Sequence, residues 1–260
     1  ADAPAEPAAQ PTYAAIAVFR QGVNGYAGAS DTTVSRTEPD TNFEGQSLHL
    51  HCKDYTSLPE QQGVLVRFDL SSLPRHAQIQ GATLSIKTYE RNITDDLVVT
   101  LHVLSRTWEA GQATWNRPAV AQSWGAAGAN DGWYDRREYW ESYDMFELGL
   151  SPVAWYHWDV RDAVQYWVAQ PQWNHGAKLL AYIGERRRVE YYAYSSEAAD
   201  IDNRPRMIIT YTVDPAMPTP TDVPPTPTQT PTRVPSAPIQ TATFQQGAGG
   251  YYGVVDTELN

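Results

Sequence analysis

Residues 64–89 read VLVRFDLSSLPRHAQIQGATLSIKTY. Val66, Phe68 and Leu70 alternate with Arg67 and Asp69. Ala82, Leu84 and Ile86 then alternate with Thr83, Ser85 and Lys87. A period of two puts successive side chains on opposite faces of an extended chain, so both runs read as strands with one apolar face. The same period recurs in AIAVF (15–19), TTVSR (32–36), SLHLHC (47–52), LVVTLHVL (97–104), VAWYHWDV (153–160), KLLAYI (178–183), VEYYAYS (189–195) and RMIITYTV (206–213). About ten short strands separated by Gly, Pro, Asn and Asp predict an all-β antiparallel sandwich of jelly-roll type. No strand–helix–strand rhythm argues for a parallel sheet.

One short helix is predicted. Asp159 can cap VRDAVQYWV, where Val160, Ala163, Val164 and Trp167 fall at i, i+3, i+4 and i+7. Between about Trp108 and Ser151 the periodicity is weak and Gly, Ala and Trp abound, which predicts a long, partly ordered excursion. The sandwich is expected over residues 13–213, after an extension at 1–12. Residues 214–238 hold nine Pro and six Thr and predict an extended spacer open to O-glycosylation.

The chain has 260 residues and a net charge of −11, from 19 Lys+Arg against 30 Asp+Glu. Such an acidic surface repels phosphate backbones, so nucleic acid is not expected as a partner. No apolar run reaches the roughly 18 residues of a membrane span. The opening ADAPAEPAAQP is rich in small residues and resembles a mature end after signal cleavage, so a secreted, extracellular or cell-surface location is expected. Cys52 is the lone cysteine, predicted to be buried and inert. Stability must therefore come from a core, for which 9 Trp, 16 Tyr and 5 Phe supply large rings.

DTTVSRTEPDTNFEG, SLHL, VLVRFDLSSLP, ATLSI, TWEAGQATWNRP, WDVRDAVQYWV and RPRMIITYT follow one another in an order that resembles the DNRLRE-type domain of secreted bacterial and archaeal proteins. The resemblance covers roughly residues 13–213. It implies a jelly-roll sandwich, often repeated in tandem, with some members acting as carbohydrate-binding modules for acidic polysaccharides. The chain departs from that pattern in a longer, more aromatic segment at 133–150 and a basic loop, GERRRVE, at 184–190.

Candidate site residues follow from chemistry. Trp124, Trp133, Trp140 and Trp173 lie in loop-like segments: if exposed, their rings would stack on sugar faces, and Arg186, Arg187 and Arg188 would meet a carboxylated glycan. The favoured alternative is that the rings fill a core beneath the excursion. Trp108, Glu109, Thr114, Trp115 and Asn116 are expected to form a packed corner. Asp31, Asp40 and Asn42 are weak calcium candidates without EF-hand spacing. His49 and His51 share a strand face near Asp54 and begin a zinc-like pattern, but no third ligand is identifiable, so solvent-facing or hydrogen-bonded histidines are expected, and a structural calcium is the one cofactor left open. Asn92 heads an Asn-Ile-Thr glycosylation sequon. No nucleophile elbow, phosphate loop or zincin helix occurs, so the chain is not expected to be an enzyme.

The tail remains. Residues 243–260, TFQQGAGGYYGVVDTELN, align without a gap on residues 18–35, VFRQGVNGYAGASDTTVS. Phe19, Gln21, Gly22, Gly25, Tyr26, Gly28, Asp31 and Thr32 reappear as Phe244, Gln246, Gly247, Gly250, Tyr251, Gly253, Asp256 and Thr257. Residues 239–260 thus repeat 14–35. Phe244, Tyr251, Tyr252, Val254, Val255 and Leu259 make this segment too apolar to stand alone and too short to fold alone. One expectation is donation of the segment to a neighbouring copy, giving a head-to-tail homopolymeric filament. The alternative is a carbohydrate-binding module followed by the start of a second repeat.

Overall fold

The computed structural model describes residues 13–53, 60–92, 97–146, 152–182 and 188–213. All of them fall within one unit, Ala1–Thr221. The extension at 1–12, the spacer at 214–238 and the tail at 239–260 lie outside the described residues. The chain order is β1 (Tyr13–Arg20), β2 (Ala29–Ser35), β3 (Leu48–Lys53), β4 (Glu60–Phe68), β5 (Gln78–Asn92), β6 (Leu97–Leu104), β7 (Arg136–Phe146), β8 (Trp155–Asp159), α1 (Arg161–Ala169), β9 (Ala177–Tyr182), β10 (Arg188–Ala193) and β11 (Arg206–Val213). The expected all-β antiparallel sandwich with one short helix is the architecture found.

One sheet has the order β1-β11-β5-β8. The other runs β10-β3-β4-β9-β6-β7, with β2 also paired to β4. Strand β5 serves both. Its early residues pair with β11 and β8, while Thr88, Glu90, Arg91 and Asn92 pair with β10. Tyr89 is skipped in that register, and a bulge of this kind lets a strand turn from one sheet into the next.

The alternation read from the sequence places the core. Leu84 and Ile86 of β5, Leu48 and Leu50 of β3, Val99 and Leu101 of β6, and Met207 and Ile209 of β11 all meet between the sheets. Each such residue contributes about 1.5–3 kcal/mol by leaving water. Cys52 joins them as a free, buried thiol, as expected. Helix α1 buries Ala163, Val164, Trp167 and Val168. The N-cap is Val160, without a side-chain cap, rather than the expected Asp159, which lies one residue earlier and accepts the Arg161 amide on Oδ1 at 2.9 Å. Gln165 fixes the helix to the start of β5: its amide donates to the Ala77 carbonyl and its oxygen accepts the Ile79 N–H.

Two expectations need correction. Residues 136–146 were expected within a loose excursion, yet they form β7 against β6. The register jumps between His102 and Val103, whose partners are Glu141 and Arg137, so three residues bulge out and hide the alternation. The rest of the excursion, 105–135, is a packed layer. Val64 and Val66 face the main core, while Leu65 between them faces a second cluster with Val34, Leu104, Trp108, Trp115 and Trp124. Both faces of β4 are therefore covered. Polar anchors hold the layer down. The buried Asp135 carboxylate accepts N–H groups from Gly125, Ala126 and Asp131 at 2.8–3.2 Å. Fully buried Lys178 donates to Gly128 O at 2.6 Å and Asn130 Oδ1 at 2.7 Å.

Candidate functional site

The excursion meets the α1–β9 connection at His175. Trp108 Nε1 donates to the His175 carbonyl at 2.8 Å, and Thr107 Oγ1 shares a hydrogen bond of 3.1 Å with His175 Nδ1. Just before it, Pro171 starts a single 3-10 turn, Pro171–Trp173. Proline suits a first helical position because its ring presets φ and no N–H is needed there. The turn ends on Trp173, which is 43% exposed. Arg137, next to the start of β7, lays its guanidinium 5.9 Å from the Trp173 ring centre and 4.9 Å from that of Tyr166. Arg67 lies 5.2 Å from the Trp108 ring. A surface pocket of about 280 Å³ adjoins, lined by Arg67, Phe68, Asp69, Trp167, Pro171 and Asn174 among others.

Electrostatics mark this area off from the acidic whole. Burial first, and then Arg67 and Arg137, hold the His175 imidazole below its ordinary value, so it is neutral at pH 7. Both arginines thus project positive potential onto one small surface. A guanidinium takes a carboxylate through two parallel hydrogen bonds, and an exposed indole offers a flat apolar face. The combination suits a ring that carries a carboxylate.

A second pair of rings stands on the excursion. Asp131 Oδ1 accepts the amides of Trp133 and Tyr134, both at 2.8 Å, folding a tight turn whose rings point outward. Those amides, Tyr134 first, hold the Asp131 carboxyl below its usual range. Trp133 is 79% and Tyr134 69% exposed.

The structure sorts the sequence candidates. Trp133 and Trp173 are exposed, as a stacking role requires. Trp124 is a correction: it is buried in the second cluster and its Nε1 donates to the Thr114 carbonyl at 2.9 Å, so it cannot meet a ligand. Trp140 lies in β7, but its side chain is outside the described residues, as are Arg186 and Arg187 entirely. Arg188 opens β10 opposite Lys53, its side chain also outside them. Trp108, Thr114 and Trp115 are buried in the packed corner, and Asn116 donates to Asp40 Oδ1 at 2.9 Å.

The calcium candidates have separate tasks. Asp31 Oδ2 accepts the Ser196 amide, Asp40 takes Asn116, and Asn42 spends its amide on the carbonyls of Ala110 and Ala113. Its Oδ1, the atom that would ligate a cation, accepts the Glu44 amide at 3.3 Å. Exposed Asn92 ends β5 and donates to Glu190 Oε2 at 3.0 Å. Phe244, Tyr251, Tyr252, Val254, Val255 and Leu259 lie outside the described residues. Arg137 was missed by sequence reasoning. The double arginine of YDRREYW, inside an aromatic-rich stretch, was the signal available.

Residues 24–136 match carbohydrate-binding module family 96. The match runs from the β1–β2 connection through the excursion to the first residue of β7. It carries a carbohydrate-binding description rather than the DNRLRE label, and supports the coarser statement: this is a domain similar to carbohydrate-binding modules. No curated protein matches the chain. Among the described residues, no helix is long and apolar enough to cross a membrane.

Proposed function

We propose that this chain is a non-catalytic carbohydrate-binding module of a secreted protein, taking an acidic polysaccharide on the surface of Trp173, Arg137 and His175, with Trp133 and Tyr134 as a second contact. The observation that carries it is the guanidinium of Arg137 beside the exposed Trp173 ring. The similarity of residues 24–136 to carbohydrate-binding module family 96 supports the ligand class. Affinity electrophoresis through gels loaded with polyuronates, and with neutral glucans as controls, tests it. Retardation by a polyuronate, reduced in Trp133→Ala and in Trp173→Ala, is expected. Equal mobility in every polyuronate gel rules the proposal out.

The repeated tail fits a tandem arrangement better than a donated strand. Eight of the nine residues it shares with the head are those that build the β1–β2 corner. Phe19 is buried against Tyr26, with ring centres 5.3 Å apart. Gln21 Oε1 accepts the Ala29 amide. Gly22 and Gly25 adopt φ of 86° and 78°, which side chains other than glycine rarely tolerate. A Cβ on Gly28 would run into Asp69 and Tyr26. Asp31 and Thr32 are buried. A donated strand needs only alternation along its length. Within 239–243, opposite 14–18 of β1, a single residue is shared, Ala242 for Ala17. What is copied is a corner, so residues 239–260 open a second domain of the same kind.

A further inference from the structure

Strand β3 turns Leu48, Leu50 and Cys52 into the core, which sends His49 and His51 to the other face of the sheet. Strand β10 lies alongside, with Glu190 opposite His51 and Tyr192 opposite His49. The pairing supplies the third ligand that the sequence withheld, 139 residues further along the chain. One donor atom from each of His49, His51 and Glu190 lies within 4.8 Å of the other two. His51 Nε2 and Glu190 Oε1 are already 3.6 Å apart.

We propose that His49, His51 and Glu190 bind a divalent transition-metal ion of the zinc type, tying β3 to β10. Two imidazoles and one carboxylate suit zinc, and they exclude calcium and magnesium, which take oxygen ligands almost alone. Bonds of about 2.0–2.2 Å to a tetrahedral ion place neighbouring donors roughly 3.3–3.5 Å apart. The His51–Glu190 edge is therefore nearly closed. The two imidazoles stand parallel, 8° between planes and 5.7 Å between centres, so they must rotate to converge. That rotation uses a soft torsion with broad wells. The surroundings hold the set in place. Tyr192 stacks on the His49 ring at 4.4 Å, and Asn92 Nδ2 grips Glu190 Oε2, which leaves Oε1 turned to His51. His51 and Glu190 are each 3% exposed, whereas His49 is partly open and gives the ion its entry. Three protein ligands leave a fourth position for water. In a chain with one cysteine, such an ion supplies the cross-link that no disulfide can.

The test is calorimetric titration of the tag-free chain with zinc chloride, repeated with calcium chloride, and with Co²⁺ followed by its visible absorption. One zinc per chain, a four-coordinate cobalt spectrum and no calcium binding are expected. Losing a direct ligand should weaken zinc binding by more than the roughly 10–100-fold typical of an outer hydrogen-bond partner. That loss is expected in His49→Ala, at the open position, and in Glu190→Gln, which keeps the shape of the side chain. Absence of zinc binding overturns the proposal. So does unchanged affinity in the folded His49→Ala/Glu190→Gln double variant, because the ion would then sit elsewhere.

Discussion

Asp31 is 2% exposed on β2, with Oδ2 accepting the Ser196 amide and Oδ1 without a hydrogen-bond partner among the described residues. Burial, and then the charges of Glu197 and Glu44, push its carboxyl up to about 7. The folded state therefore holds a proton that the unfolded chain releases near its ordinary value of 3.8. Its contribution is fully present below about 4 and is lost as pH rises towards 7. His102 does the reverse. Burial, and then Arg136 and Lys178, lower it to about 3, so its contribution is present above its ordinary value and lost as pH falls. Between about 4 and 6.5 the two groups oppose each other. Asp31→Asn removes one of them while keeping an acceptor for Ser196. Urea midpoints should therefore change little in the parent between pH 4 and pH 6.5 and rise over that range in the variant, with a gain of roughly 1–3 kcal/mol over the parent at pH 8. Identical pH profiles would mean that Asp31 is ionised throughout.

At the scale of elements, single-period strands were legible and composite ones were not. The runs at 64–70 and 82–89 announced β4 and β5, and the apolar spacing of 160–167 announced α1, because one buried face writes a plain pattern. Strand β7 escaped because residues 138–140 bulge out between the partners of His102 and Val103. Trp124 was misassigned because a tryptophan in a loop reads alike whether it faces solvent or a second core. Of the candidate site, Trp133 and Trp173 were legible. Arg137 and Glu190 were not, since each becomes relevant through partners distant in sequence: Trp173 for one, the β3–β10 register for the other. The excursion behaves as an element in its own right, hung on Asp135. Asp135→Ala takes a buried carboxylate away from three part-buried N–H groups and is expected to cost about 1.5–3 kcal/mol. Guanidinium denaturation measures that loss. Near-UV circular dichroism should report loosening of Trp115 and Trp124, and an unchanged spectrum would contradict the role given to Asp135.

For the whole molecule, the proposed modules in series and subunits joined by a lent strand differ in what loss of the tail does. Deleting residues 239–260 should leave sedimentation behaviour monomeric and polyuronate binding unchanged. Filaments in electron micrographs of the full chain that vanish on deletion would restore strand donation. The proposed site gathers Arg67 and Arg137 at His175 in a chain whose net charge is −11. The most direct measurement is the calorimetric Kd of the wild type, Arg137→Ala and Trp173→Ala for a polyuronate, with folding of each variant checked by its thermal melt. The account predicts binding by the wild type and a weakening of about tenfold or more in each variant, in line with the loss of one charge-assisted pair or one large stacking ring. Wild-type affinity retained in both folded variants would contradict it.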